Sequence, residues 1–118
     1  MSITASTLAA AHCIQPIDAL DDSAIAAHLA ALPDWQIEAG KLVRSFAFNN
    51  YYETLAFVNA IAWMIHAEDH HPELGVSYNR CAVKFDTHSV NAGRGGLSAN
   101  DFVCAAKVDA LFAQRAHA

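Results

Sequence analysis

The spacing of apolar positions divides the chain into segments of two alternating periods. Residues 1–17, rich in Ala, Ser and Thr and closed by Pro16, show neither period and predict a mobile tail. From Asp22 or Ser23, either a suitable N-cap, Ile25, Leu29 and Leu32 recur at helical spacing until Pro33 ends the run. His28 lies off that stripe and is expected to face solvent. Positions 35–37 and 42–48 alternate on either side of a turn at 38–41 that contains Gly40, the pattern of a β-hairpin. Asn49 or Asn50 then caps a long helix over 51 to about 69, with Leu55, Val58, Ala62 and Ile65 on one face, broadened by Ala56, Phe57, Ile61 and Met64. So wide an apolar surface needs cover on more than one side, by the sheet and by a helix or partner subunit, and Trp63 is expected in the core or an interface. Pro72 disfavours helical geometry at His71 and releases the chain.

Positions 73–78 and 81–88 read as a second hairpin turning at Asn79-Arg80, with Cys81, Val83 and Phe85 on its covered face. A glycine-rich loop over 89–96 follows, and Ser98-x-x-Asp101 has the form of a capping box. It opens a last helix with Phe102, Val103, Ala106, Val108, Ala110, Leu111 and Phe112 as its apolar side. The order α-β-β-α-β-β-α predicts a two-layer α+β domain over 18–118, a four-stranded antiparallel sheet with three helices on one face.

Composition narrows what such a domain does. At 118 residues with 54% apolar content the chain supports one real core. No apolar run reaches the ~20 residues that span a bilayer, and no basic stretch precedes an apolar one at the start, so the expectation is a cytoplasmic protein with no membrane contact. Cys13, Cys81 and Cys104 lack a C-x-x-C pattern and read as free thiols. The net charge of −5 and the scatter of seven Lys and Arg argue against direct nucleic-acid binding. The glycine loop lacks the signatures of nucleotide binding. A small-molecule ligand remains.

The candidate chemistry is concentrated in His66, Glu68, Asp69, His70, His71 and His88. Within a continuous helix His66 and His70 would be stacked one turn apart, while the hairpin brings Thr87-His88 back towards His70-His71, so that three imidazoles line one cleft. Imidazoles exchange protons near neutral pH and also ligate metals. Ala67 stands where an H-E-x-x-H zinc helix carries Glu, and no third ligand is evident, so acid–base work is favoured over a metal site. The remaining reading is a solvated helix end.

With His66-x-x-x-His70-His71-Pro72, Tyr78-Asn79, Thr87-His88, Gly96-Leu97-Ser98 and Asp101 in that order, the chain from Leu20 to Phe112 resembles the pterin-4a-carbinolamine dehydratases. The resemblance implies the α+β fold and dehydration of 4a-hydroxytetrahydropterin to quinonoid dihydropterin. It also implies recycling of tetrahydrobiopterin for aromatic amino acid hydroxylases such as phenylalanine hydroxylase. By analogy, His70 and His88 are the acid–base pair and His71 positions the ring. His66, Asp69, His70, His71, Pro72, Thr87, His88, Ser89 and Val90 would bind substrate, and Asp101 is either catalytic or a helix cap. The family works without metal or cofactor, the pterin being substrate, and forms homodimers or homotetramers. Some members instead act as binding, regulatory or assembly-helper proteins. Many carry Glu where this chain has His66, and the loop before Gly96 is longer here than in the compact animal form.

Overall fold

The computed structural model describes residues 2–115. Its elements are α1 (Ala5–Ala10), α2 (Asp22–Ala30), β1 (Gln36–Glu38), β2 (Lys41–Ala47), α3 (Tyr51–Glu68), β3 (Glu73–Val76), β4 (Arg80–Phe85) and α4 (Ala99–Gln114). The four strands form one antiparallel sheet in the order β1-β2-β4-β3. Both hairpins are local pairings, and the long helix α3 carries the chain from β2 to β3, which pairs on the far side of β4.

The register follows the alternation in sequence. Leu42, Arg44 and Phe46 on β2 stand opposite Phe85, Val83 and Cys81 on β4, so one face receives the apolar set. Upon it lie Phe57, Ile61 and Ile65 of α3 and Phe102, Ala105 and Val108 of α4, all buried. Phe46 contacts both Phe57 and Phe112, with centroids 4.7 Å away in each case. Arg44 lies over the Phe46 ring and donates to Asp109 at 2.7 Å, the same oxygen that Trp35 Nε1 reaches at 2.9 Å, so one carboxylate ties the first hairpin to α4.

Local chemistry accounts for the boundaries. Asp21 accepts from Ala24 N–H to open α2, and Asn50 accepts from Glu53 N–H to open α3. Ala39 and Gly40 both have positive φ, 51° and 79°, the backbone of a two-residue hairpin turn that matches strand twist. The second hairpin turns at Tyr78-Asn79, one position earlier than expected, because Arg80 already pairs with Ala47 and Ser77 N–H donates to the Arg80 carbonyl.

Several expectations need correction. The segment taken for a mobile tail carries α1, whose Leu8 is only 7% exposed. Lys107 Nζ donates to the Ala9 carbonyl at 2.8 Å, and Asn100 bonds both backbone groups of Ile14. Its apolar content was too sparse to show a period, yet a single leucine against α4 suffices when backbone groups find side-chain partners. His28 is not a solvent-facing bystander: its ring packs 5.1 Å from Phe102 and its Nδ1 lies 2.7 Å from the Ala24 carbonyl oxygen. Trp63 is 78% exposed and so lies outside the core of the chain. The inward face of α3 is Thr54, Phe57, Ile61 and Ile65, which turns Leu55 and Ala62 outward.

Leu8→Ala tests whether the N-terminal segment belongs to the folded unit. Truncating this buried leucine is expected to lower the unfolding free energy by about 2 kcal/mol, measured by urea denaturation; no change would return the segment to the status of a tail.

Candidate active site

α3 does not run through the histidine pair. It ends at Glu68, and Asp69 adopts the left-handed conformation with φ 52°. A non-glycine residue pays roughly 1–2 kcal/mol for that geometry, and aspartate is among the few that tolerate it. The reversal removes the helical i, i+4 relation between His66 and His70, which corrects the expectation that they are stacked one turn apart. His66 stays on the helix surface with its ring 6.2 Å from that of Trp63, while His70 turns inward and His71 outward. With that relation gone, the pair of histidines that had suggested a metal site is separated.

His70 is the buried member. Its ring lies parallel to Phe85 at 5.9 Å and its Nε2 meets Asp101 Oδ1 at 2.6 Å. Burial alone would lower its pKa, but the hydrogen bond and charge of Asp101 prevail and hold it above 6.5. With Nε2 engaged, Nδ1 is the ring nitrogen left outside the Asp101 bond.

Asp101 sits at the third position of α4, fully buried. Its second oxygen accepts from Ser98 N–H and from Thr87 Oγ1, both at 2.9 Å. The Thr87 hydroxyl has one proton and gives it to Asp101, so the 2.8 Å contact with Ser98 Oγ makes Ser98 the donor there. One carboxylate thus does two structural tasks: one oxygen caps α4 and the other holds His70. A carboxylate stripped of water is tolerable here because each oxygen is hydrogen-bonded and the helix N-terminus favours negative charge.

The cleft above this group measures about 320 Å³ and is lined by Gln15, Asp69, His70, His71, Asp86, Thr87, His88 and Ser89. β4 stops at Phe85, earlier than expected, and Thr87 instead makes an isolated bridge to Gly96. That bridge is mutual, Thr87 and Gly96 each donating to the other's carbonyl, and it leaves His88 at the rim. His88 and His71 are exposed, their side chains at 85% and 66%, and His88 Nε2 lies 3.1 Å from Asp86 Oδ1. His70, His71 and His88 thus share one cleft with Asp69, Thr87 and Ser89. His66 and Pro72 do not line it. Val90 is buried, at 4% exposed, and is likewise absent from its walls.

Two lining residues escaped the sequence reading. The sequence signal for Asp86 is its position two residues before His88, which allows the two to pair. Gln15 lies in the segment set aside as a tail, and nothing local to it signals that the chain crosses the cleft.

A sequence model of the family described as pterin 4 alpha carbinolamine dehydratase matches residues 18–111. A provisionally named pterin-4-alpha-carbinolamine dehydratase of Bdellovibrio bacteriovorus is 59% identical over 97 residues, covering 81% of each chain. One of the same description from Stenotrophomonas maltophilia is 53% identical, covering 80% of each. Among solved structures, a transcriptional coactivator/pterin dehydratase from Brucella melitensis is similar with a TM-score of 0.70 and 33% identity, covering 79% of this chain and 97% of that one.

The His70–Asp101 pair has a defined pH signature. Because the folded-state pKa of His70 is raised, the pair's contribution to stability is full below the ordinary value of 6.5 and fades as pH rises through the raised value. Asp101→Asn is expected to lower the His70 pKa, read by NMR titration of the imidazole, and to cost about 1–3 kcal/mol by turning an amide N–H2 against buried donors. An unmoved His70 titration would reduce Asp101 to a cap.

Proposed function

As the chain belongs to the pterin 4 alpha carbinolamine dehydratase family, we propose that it is an active dehydratase converting 4a-hydroxytetrahydropterin to quinonoid dihydropterin and water. The observation that carries this reading is the convergence of His70, His71 and His88 on one cleft, with His70 anchored through Nε2 to a buried carboxylate. In the reaction N5 loses its proton, its electron pair forms the C4a=N5 double bond, and the 4a-hydroxyl leaves as water after being protonated. Both transfers are within the reach of imidazoles, each typically worth 10²–10⁴-fold.

The two acid–base histidines have different settings. His70, whose proton is favoured by Asp101, suits the acid that protonates the departing hydroxyl. His88, exposed at the rim beside Asp86, suits the base at N5. His71 would orient the ring from its exposed position in the same cleft, and Asp69, Thr87 and Ser89 supply further polar groups. Substrate specificity for tetrahydrobiopterin, return of the product to aromatic amino acid hydroxylation and a cytoplasmic location belong to this same reading. A homodimer or homotetramer would cover the exposed Tyr52, Leu55 and Trp63.

A binding or regulatory role is the rival, favoured by the description of the Brucella protein as a transcriptional coactivator as well as a pterin dehydratase. Three imidazoles on one cleft serve proton transfer, which docking of a partner does not require, so the catalytic reading stands ahead.

Purified, chelator-treated protein is expected to accelerate the loss of chemically generated 4a-hydroxytetrahydropterin, followed by ultraviolet absorbance. His70→Ala and His88→Ala should each lower turnover by about 10²–10⁴-fold while circular dichroism stays native. Full activity in both variants would remove these assignments, and an inactive native protein would favour the binding role.

A further inference from the structure

Cys13 and Cys104 lie 91 positions apart in the chain, yet their sulfurs are 3.4 Å from each other. The proposed dehydration uses neither. Cys104 is fully buried on α4, three residues after Asp101, whereas Cys13 is half-buried on the non-helical segment between α1 and α2. The backbone of that segment is pinned to the end of α3 and the start of α4: Cys13 N–H to Glu68 Oε1 at 2.8 Å, Ile14 N–H to Asn100 Oδ1 at 3.1 Å, and Asn100 Nδ2 to the Ile14 carbonyl at 2.9 Å. Two thiols so constrained have each other as the nearest reaction partner. Cys81, the third, is buried in the sheet opposite Phe46.

We propose that Cys13 and Cys104 form a dithiol modification site for hydroperoxides, whose oxidation joins the residue 11–15 segment covalently to α4. The two positions are chemically unequal in the way such a site needs. Hydrogen bonding from the Cys104 thiol lowers the pKa of Cys13, against its burial, while that interaction and burial raise the pKa of Cys104. The thiolate is therefore favoured at the partly exposed cysteine and the proton at the buried one.

In the first step the Cys13 thiolate attacks a peroxide oxygen: an S–O bond forms, the O–O bond breaks, and hydroxide leaves and takes up a proton as water. In the second, the Cys104 sulfur attacks the sulfenic acid, the S–S bond forms, and the S–O oxygen departs as water with the Cys104 proton. Two thiols lose two electrons in all, and hydrogen peroxide is reduced to two waters. Closure requires the sulfurs to move from 3.4 Å to a bond length of about 2.0 Å. The product would bind the segment bearing Gln15, one wall of the cleft, to the helix bearing Asp101.

The test is independent of dehydratase activity. Reduced full-length protein is treated with hydrogen peroxide, its free thiols are counted, and it is digested with trypsin under non-reducing conditions. Thiols are expected to fall from three to one, with peptides 1–41 and 95–107 joined by a bond that dithiothreitol reverses and Cys81 left free in peptide 81–84. Cys104→Ala should halt the reaction at a Cys13 sulfenic acid captured by dimedone. An unchanged thiol count, a bond through Cys81 or between chains, or irreversible oxidation of Cys13 without the cross-link would each overturn the proposal, and all three are read on the unmutated protein.

Discussion

The buried carboxylate of Asp101 is the constraint on which the site depends. Four groups from three parts of the chain meet there: Ser98 N–H at the start of α4, the Thr87 hydroxyl after β4, the His70 imidazole after α3, and the helix N-terminus itself. A carboxylate removed from water is costly unless its oxygens are satisfied, so each of these partners is held in place by the penalty for leaving it. The consequence is geometric. The ends of α3, β4 and α4 converge at one point, and the cleft is the space above it.

Around that point the molecule supports two kinds of imidazole. His70 has surrendered its solvent to Phe85 and one ring nitrogen to Asp101, whereas His88 and His71 keep theirs at the rim. Histidines in unlike environments can take unlike roles, and groups that must give and take a proton in one turnover need that difference. The left-handed turn at Asp69 produces it, because one reversed residue sends adjacent side chains in opposite directions. Backbone strain at such a position persists when neighbouring interactions over-determine it, and here the bond from Asp69 N–H to the His66 carbonyl on one side and the His70–Asp101 bond on the other do so.

The N-terminal segment is held by a second carboxylate. Glu68, the last residue of α3, is almost buried and accepts from Cys13 N–H and His12 Nδ1, with Lys107 3.7 Å away. Burial alone would raise its pKa, but these partners bring it below the ordinary value. A long helix thus ends with one residue fastening the segment that forms a wall of the cleft, while the residues just beyond it form the cleft itself. Anchoring and chemistry share a helix terminus.

Most of the architecture was legible in the chain. Alternation marked both hairpins, Asn49-Asn50 and Ser98-x-x-Asp101 marked the starts of α3 and α4, and the order of elements implied a helical layer over an antiparallel sheet; these signals are local, set by periodicity and by caps a few residues apart. The histidines could be singled out for the same reason. Which side of the chain each would face could not, since a single residue in the left-handed conformation at Asp69 overrides any spacing rule and leaves no mark that distinguishes it from a helical aspartate. Nor could the pairings that make the site: Asp101 is 31 positions from His70, Asn100 86 from Ile14, Cys104 91 from Cys13. The sequence by itself determined the elements and the candidate chemistry, because these arise from neighbours along the chain. Only the tertiary structure decided which imidazole is buried, what carboxylate holds it and that the N-terminal segment walls the cleft, because those depend on contacts between residues that the sequence keeps far apart.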